Sequence, residues 1–397
     1  MTAPLHFAIL GAGPTGLEAA LALAERGLSF TLYEAAPKIA GHIQAWRHVQ
    51  LFTPWSMNVS WRMRRALEKA GQPLPEDGFP TGGELIEKVF EPLAKLPDIA
   101  PHLRLGRRVV SIGRQGLLKH EEIASRERGQ RPFRLLLVDQ QGHEHLEAAD
   151  VVFDCTGNGV VNSLGDAGIP APGEHHLADL IGREIPDFRR DEESWAGRRI
   201  LLVGAGHSAQ TALRELLLLA EKNPATRIVW VLRGQAIVVA EDDPLPGRQA
   251  LAAVAAAALT APPASLEPRC GQVVETLAET DAGLEVELRD LATGTLSKVP
   301  VDRVLALTGR VGDYQIYRQL QVHECYATGA PMKLAAALLG QSGAGGDCLQ
   351  QTSLGAETLR SPEPGFFIVG SKSYGRRNDY LMRVGWQQVD EILSLLE

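Results

Sequence analysis

Two short runs of small residues carry the chemistry most directly readable in this chain. The first is Gly11-x-Gly13-x-x-Gly16, within "HFAILGAGPTGLEAALALAERGLSFTLYEAAP" (6–37). An apolar run over 7–10 precedes it, and an amphipathic helical pattern comes after it and stops at Gly27. The second is Gly204-x-Gly206-x-x-Ala209, within "WAGRRILLVGAGHSAQTALRELLLLAEKNPATRIVWVLRG" (195–234). It lies between an apolar run over 200–203 and a long helical pattern. A glycine turn placed between strand and helix binds phosphate, because the helix start presents free N–H groups and the positive end of its dipole. Gly11 permits the tight turn, Gly13 lets the backbone approach a pyrophosphate, and Gly16 lets the helix pack close to the strand. Ala209 is permitted in the third position of such a loop.

The residue after the next strand distinguishes the two loops. Glu34 ends the strand expected over 29–33, about 20 residues on, where an acid receives ribose hydroxyls. Arg233 ends the strand expected over 228–232. An arginine there accommodates a 2′-phosphate, which favours NADPH over NADH; the alternative is an ordinary surface arginine. His207 and Ser208 start the second helix beside the phosphate loop. Two such folds in one chain suggest a tightly held dinucleotide and a second one brought to it, and the natural pairing is FAD with NAD(P)H.

The elements that position these loops fit an ordinary globular chain. The 397 residues are ample for two or three domains with a large core. A net charge of -8 argues against nucleic acid as the main partner, since phosphate-backbone binding needs a basic face. The greasiest stretch, "ALAAVAAAALTA" (250–261), is well short of the ~20 residues of a membrane span. The N-terminus runs almost directly into a strand, with no secretory pattern. Cys155, Cys270, Cys325 and Cys348 form no C-x-x-C pair. The expectation is a cytoplasmic, reduced protein with no membrane, nucleic-acid or metal partner and with a homodimer left open.

Further stretches carry a resemblance. "ADVVFDCTGNG" (149–159) and "VDRVLALTGRVGD" (301–313) are similar to the strand–Thr–Gly crossovers that close dinucleotide domains. "KIAGH" (38–42) stands where a paired-glycine turn is found, with Ala40 in place of one glycine. "FFIVGSKSYGRRND" (366–379) lies where the last flavin-binding motif should be, with Ser371 and Lys372 where an acid usually follows the glycine. With these the chain resembles the flavoproteins with two dinucleotide-binding domains, which include flavin-containing monooxygenases, thioredoxin reductases and ferredoxin reductases. "HECYATGAPMKLAAALLG" (323–340) and "PEPGFFIVGSKSYGR" (362–376) look like a narrower group of bacterial FAD-dependent oxidoreductases.

The resemblance implies an α/β fold of two Rossmann-like domains. An FAD domain, 1–165 and 311–397, is split by an inserted NAD(P)H domain, 190–310, with 182–197 as the link. FAD is expected on Gly11, Gly13, Pro14, Thr15, Gly16, Glu34, Gly41, His42, Thr156, Gly157, Gly370, Ser371 and Tyr374. NADPH is expected on Gly204, Gly206, His207, Ser208, Ala209, Arg233, Thr308 and Gly309. Lys372, Arg376 and Arg377 are either a positive field for anionic flavin and phosphates or solvated loop charges. By analogy with the monooxygenases, Asn58 in "LFTPWSMNVSWRM" (51–63) contacts the flavin; the other reading is a helix cap. The histidine-bearing signature of those enzymes is not cleanly present in "PAPGEHHLADLIG" (170–182). A disulfide reductase is disfavoured, because it needs a redox cysteine pair. The expected activity is an NADPH-oxidising monooxygenase acting on a small molecule. Alternatives are a reductase passing electrons from FAD to an acceptor, and a non-catalytic dinucleotide sensor.

Overall fold

The computed structural model describes residues 5–239, 243–281, 283–341, 352–377 and 379–396. Cys348 and much of the Gly- and Ser-rich stretch around it lie outside the described residues. The chain divides into two compact units, one of Met1–Val160 with Val311–Glu397 and one of Val161–Arg310.

The first unit is built on a five-stranded parallel sheet. Its order is Phe366–Ile368, Val151–Asp154, His6–Leu10, Ser29–Glu34 and Leu103–Leu105. The three inner strands read as nearly continuous apolar runs because both faces are covered. Phe7, Ala8, Ile9 and Leu10 are each at most 1% exposed. One face carries the helices Pro14–Glu25 and Met382–Leu396, which bury Leu17, Leu21, Val384, Val389 and Ile392 in one cluster. Pro14 starts its helix at no cost, since the first N–H groups of a helix have no partner in it. The other face meets an antiparallel sheet of Arg107–Arg114, Phe133–Asp139 and Glu144–Ala149. There Ile112, Phe133, Leu135 and Leu137 alternate inward.

The second unit repeats this plan. Its parallel sheet runs Leu266–Cys270, Arg227–Leu232, Arg199–Val203, Arg303–Ala306 and Ile181–Gly182. The helices His207–Lys222 and Pro246–Thr260 cover one face with Leu213, Leu216 and Ala255. An antiparallel sheet of Gln272–Thr280, Gly283–Asp290 and Leu296–Val301 covers the other. Gly182, which opens the expected link, is an edge-strand residue paired with Leu305.

The C-terminal helix is Met382–Leu396. Tyr380, before it, packs edge-on to Tyr374 with ring centroids 5.3 Å apart.

Candidate functional site

At the first glycine loop the backbone closes as the residue types require. Gly11 has φ +93, and a Cβ there would lie 2.8 Å from the Cys155 carbonyl oxygen. A Cβ on Gly16 would run into the Gly11 carbonyl, so neither position accepts a side chain. Gly13 has open space around it, as a turn that admits a phosphate needs. Glu34 is 9% exposed, and its two oxygens accept the Ala12 and Ala36 N–H groups, each at 2.9 Å. Burial pushes its carboxyl above the ordinary glutamate value, against the pull of those amides. Each oxygen keeps a lone pair for a ribose hydroxyl.

The residues expected around this loop come together. Gly41 sits against Glu34, where a Cβ would be 3.3 Å from Oε1. His42 approaches Gly159, and the Ser371 Oγ faces Gly157, at 3.0 and 3.4 Å from where their Cβ atoms would be. Thr15 Oγ1 abuts Gly370 at 2.7 Å by the same measure. Ala40, which replaces a glycine of the related turn, takes the left-handed conformation at φ +54.

Several of the expected residues have their side chains engaged within the protein. Tyr374 is 1% exposed and packed in the core. Of the stretch 371–374, only Ser371 retains accessible surface beyond the buried range. Lys372 is neither a solvated charge nor a free positive field: it is fully buried and ion-paired to Asp154 at 2.5 Å. The N–H of Gly370, a residue expected at FAD, donates to Gln388 Oε1 at 2.8 Å. The Thr156 hydroxyl and N–H both donate to Asp154 Oδ1, at 2.6 and 3.2 Å. Asn58, 1% exposed, donates its amide hydrogens to the Thr53 and Pro54 carbonyls at 2.7 and 2.9 Å. The cap that starts the helix after it is Ser60, which accepts from Met63 N–H. Arg377 pairs with Asp379, and Arg376 is exposed.

The second glycine loop has the same turn. Gly204 has φ +132, and a Cβ there would strike the Leu307 carbonyl. Trp230 Nε1 donates to the Gly204 carbonyl at 2.8 Å and fixes it from behind. Gly206 has open space around it, and Ser208 is exposed at the helix start. Ala209 is buried, its Cβ 3.3 Å from the position a Gly204 Cβ would take. Thr308 donates its hydroxyl to the Asn162 carbonyl at 2.8 Å, and Gly309 accepts from Asn162 N–H at 3.0 Å. Arg233 is exposed. Asp166, held low chiefly by its hydrogen bond from Arg289, also lies in the field of Arg233.

Four residues that shape these loops are not read from the sequence in the part they play. Gln388 holds Gly370, and Asp154 with Lys372 holds Thr156. Arg248, ion-paired to Asp243 at 2.7 Å, is the fourth. Together with desolvation, the larger cause, Arg248 pushes the His207 imidazole below its ordinary value. Gln388 acts on Gly370, 18 residues before it, and Lys372 on Asp154 and Thr156, more than 200 residues before it, so their roles follow from the fold rather than from local spacing. Among the described residues no cluster of His, Cys, Asp or Glu could hold a metal ion. None of the described helices is long and apolar enough to cross a membrane.

A sequence model of an NAD(P)-binding Rossmann-like domain matches residues 9–68, the first glycine loop and the segment after it. No curated protein sequence matches the chain. Solved structures resemble it over nearly its full length. The bacillithiol disulfide reductase of Bacillus cereus is 17% identical, with TM-score 0.67 over 99% of this chain and 98% of that one. The ornithine hydroxylase of Pseudomonas aeruginosa is 17% identical, with TM-score 0.66 over 99% and 98%. The ornithine N-hydroxylase of Kutzneria sp. 744, described with reduced FAD, NADP+ and L-ornithine, is 14% identical, with TM-score 0.68 over 99% of both chains. At these identities the likeness is one of fold: the chain has the fold of flavoproteins with two dinucleotide-binding domains.

Proposed function

We propose that the protein is an FAD-dependent, NADPH-oxidising oxidoreductase, and specifically a monooxygenase acting on a small molecule. The observation that carries the reading is the pair of open glycine turns, each at a helix start, one backed by buried Glu34 and the other followed by exposed Arg233. When bound, NADPH supplies a hydride and FAD accepts it and activates oxygen. The chain's own residues bind and orient. The N–H groups at the start of Pro14–Glu25 meet the FAD pyrophosphate, Glu34 accepts the adenosine ribose hydroxyls, and Ser371 offers a hydroxyl opposite Gly157. The start of His207–Lys222 meets the NADPH pyrophosphate, and Arg233 the 2′-phosphate. Hydride transfer asks the protein for proximity rather than for an acid or base.

The finer assignment rests on the cysteines. Among the described residues Cys155, Cys270 and Cys325 are free, and burial pushes the Cys155 and Cys270 thiols up, away from thiolate chemistry, while hydrogen bonds from Thr328 and Ala327 lower the Cys325 thiol. Without a C-x-x-C pair in the sequence, oxygenation is the preferred reading over disulfide reduction. The second reading, electron transfer from FAD to an acceptor, is kept open by the fold likeness to a disulfide reductase.

The test begins with flavin-loaded protein mixed anaerobically with NADPH or NADH, followed by air and a panel of small amines, thioethers and ketones. The reading expects faster bleaching of the flavin band by NADPH, and an oxygenated product formed in step with NADPH use. Peroxide alone, with rapid reduction of a disulfide or quinone acceptor, would establish the second reading. Protein that takes up no FAD would overturn both.

A further inference from the structure

Lys372 and Asp154 form a buried ion pair that touches no ligand in the proposed binding mode. Both side chains are 0% exposed. The lysine's other hydrogens go to the Asp313 carbonyl at 2.6 Å and the Thr156 hydroxyl at 3.3 Å. Its ammonium lies 4.9 Å from the centroid of the Tyr317 ring. Asp154 in turn accepts the Thr156 N–H at 3.2 Å and hydroxyl at 2.6 Å. Every polar group of the pair is therefore engaged.

Such a pair is a poor source of stability. The attraction gained inside the protein roughly offsets the hydration both ions lose, and apolar residues of similar volume often do as well. What it supplies is fixed geometry, and here the geometry converges on one turn. Thr156 is held by the carboxylate and the ammonium together. Gly157 comes next at φ +67, facing the Ser371 Oγ. The first glycine loop rests on the same turn, since a Gly11 Cβ would lie 2.8 Å from the Cys155 oxygen and 3.1 Å from the Thr156 Cα. Another buried ionic cluster in this unit makes the contrast. Glu363, with Arg114 at 2.6 Å and Arg128 at 2.9 Å, ties the antiparallel sheet to the approach of the last strand, away from the glycine loop and the Thr156 turn.

We infer that Lys372 and Asp154 are positioning residues for FAD. They hold the Thr156–Gly157 turn, and Ser371 opposite it, at the spacing the first glycine loop needs to close on the dinucleotide. The pair thereby does from behind the turn what an acidic side chain after Gly370 would do from in front. The inference rests on the FAD reading.

Its test uses three full-length variants, each freed of flavin. Asp154→Asn with Lys372→Met removes both charges without leaving a lone buried ion. Thr156→Val removes only the hydroxyl that the pair grips. The third variant combines all three changes. FAD is titrated by quenching of flavin fluorescence, the absorption band of bound FAD is recorded, and apoprotein melting is followed alongside. The double variant is expected to melt near the wild type, to weaken FAD about tenfold, the scale of one well-placed hydrogen bond, and to shift the flavin band. Thr156→Val should weaken FAD similarly and add little in the triple variant, because the groups act as one unit. An unchanged FAD dissociation constant in the double variant, or fully additive losses in the triple, overturns the inference while leaving the FAD reading intact. If the double variant does not fold, Thr156→Val alone decides, and an unchanged constant there overturns it. Wild-type protein that takes up no FAD overturns the cofactor reading and this inference with it.

Discussion

The two glycine loops share a turn and differ in what stands behind it. In the first, the helix is pressed so close that Gly16 has no room for a methyl group. In the second, Ala209 fits against Gly204. The first loop is backed by Glu34, buried and bonded to the amides of Ala12 and Ala36. The second is followed by exposed Arg233 in a field that already contains Asp166. A buried acid braced by backbone suits a dinucleotide that stays. An exposed arginine suits one that comes and goes and is chosen by its phosphate. In the proposed reading one backbone plan serves two binding tasks through the residue at the end of its second strand.

The largest expected effect comes from exchanging the third small residue. Gly16→Ala drives a Cβ into the Gly11 carbonyl, and overpacking of this kind costs roughly 1–3 kcal/mol or more. It should lower the melting temperature and abolish flavin retention. Ala209→Gly only loosens a helix start, at about 1 kcal/mol or less, and should leave flavin content unchanged. Equal effects at the two sites would remove the distinction between the loops.

The pH dependence of FAD binding sharpens the contrast further. Burial raises the Glu34 pKa above its ordinary 4.5, so the carboxylate proposed to accept ribose hydroxyls is lost at a higher pH than usual. FAD affinity should fall as pH is lowered through that raised value, and Glu34→Gln should remove the dependence. Stability moves the other way. A raised folded-state pKa contributes stability in full below 4.5, and that contribution is lost as pH rises through the folded value. Melting of the flavin-free protein at several pH values checks this. At the second loop, His207 is pushed below its ordinary 6.5, so it is neutral at pH 7 and adds no charge to the phosphate site. His207→Ala should leave the pH profile of the NADPH KM unchanged above pH 7.

The smallest effect is expected at Ala40. Its left-handed backbone costs roughly 1–2 kcal/mol, yet its buried methyl returns about 0.8 kcal/mol. Ala40→Gly should therefore stabilise by no more than about 1 kcal/mol, read as a small rise in melting temperature. A clear loss would mean that the methyl packs better than its area suggests.

Much of the fold and site is legible in the sequence because it is local. The spacing of Gly11, Gly13 and Gly16, the strand before it and Glu34 after it lie within one βαβ length. The same holds for Gly204 through Arg233. Lys372 is not legible as a buried group, because its partner Asp154 lies 218 residues away in sequence and only the parallel sheet brings them together. Tyr374 reads as a ligand contact because it sits in a polar, basic stretch. Its ring instead completes the core beside Tyr380. The Gly370 amide looks free for a phosphate because its acceptor, Gln388, sits on the last helix and carries no motif.

The division of labour between the loops is tested most directly by titrating flavin-free protein with FAD, and flavin-loaded protein with NADP+, in the wild type, Glu34→Gln and Arg233→Ala. Glu34→Gln should weaken FAD about tenfold or more, and Arg233→Ala should weaken NADP+ to a similar degree, since each removes a charge-assisted hydrogen bond. Neither variant should affect the other ligand. Arg233→Ala that leaves NADP+ binding unchanged, or Glu34→Gln that leaves FAD binding unchanged, would contradict the account.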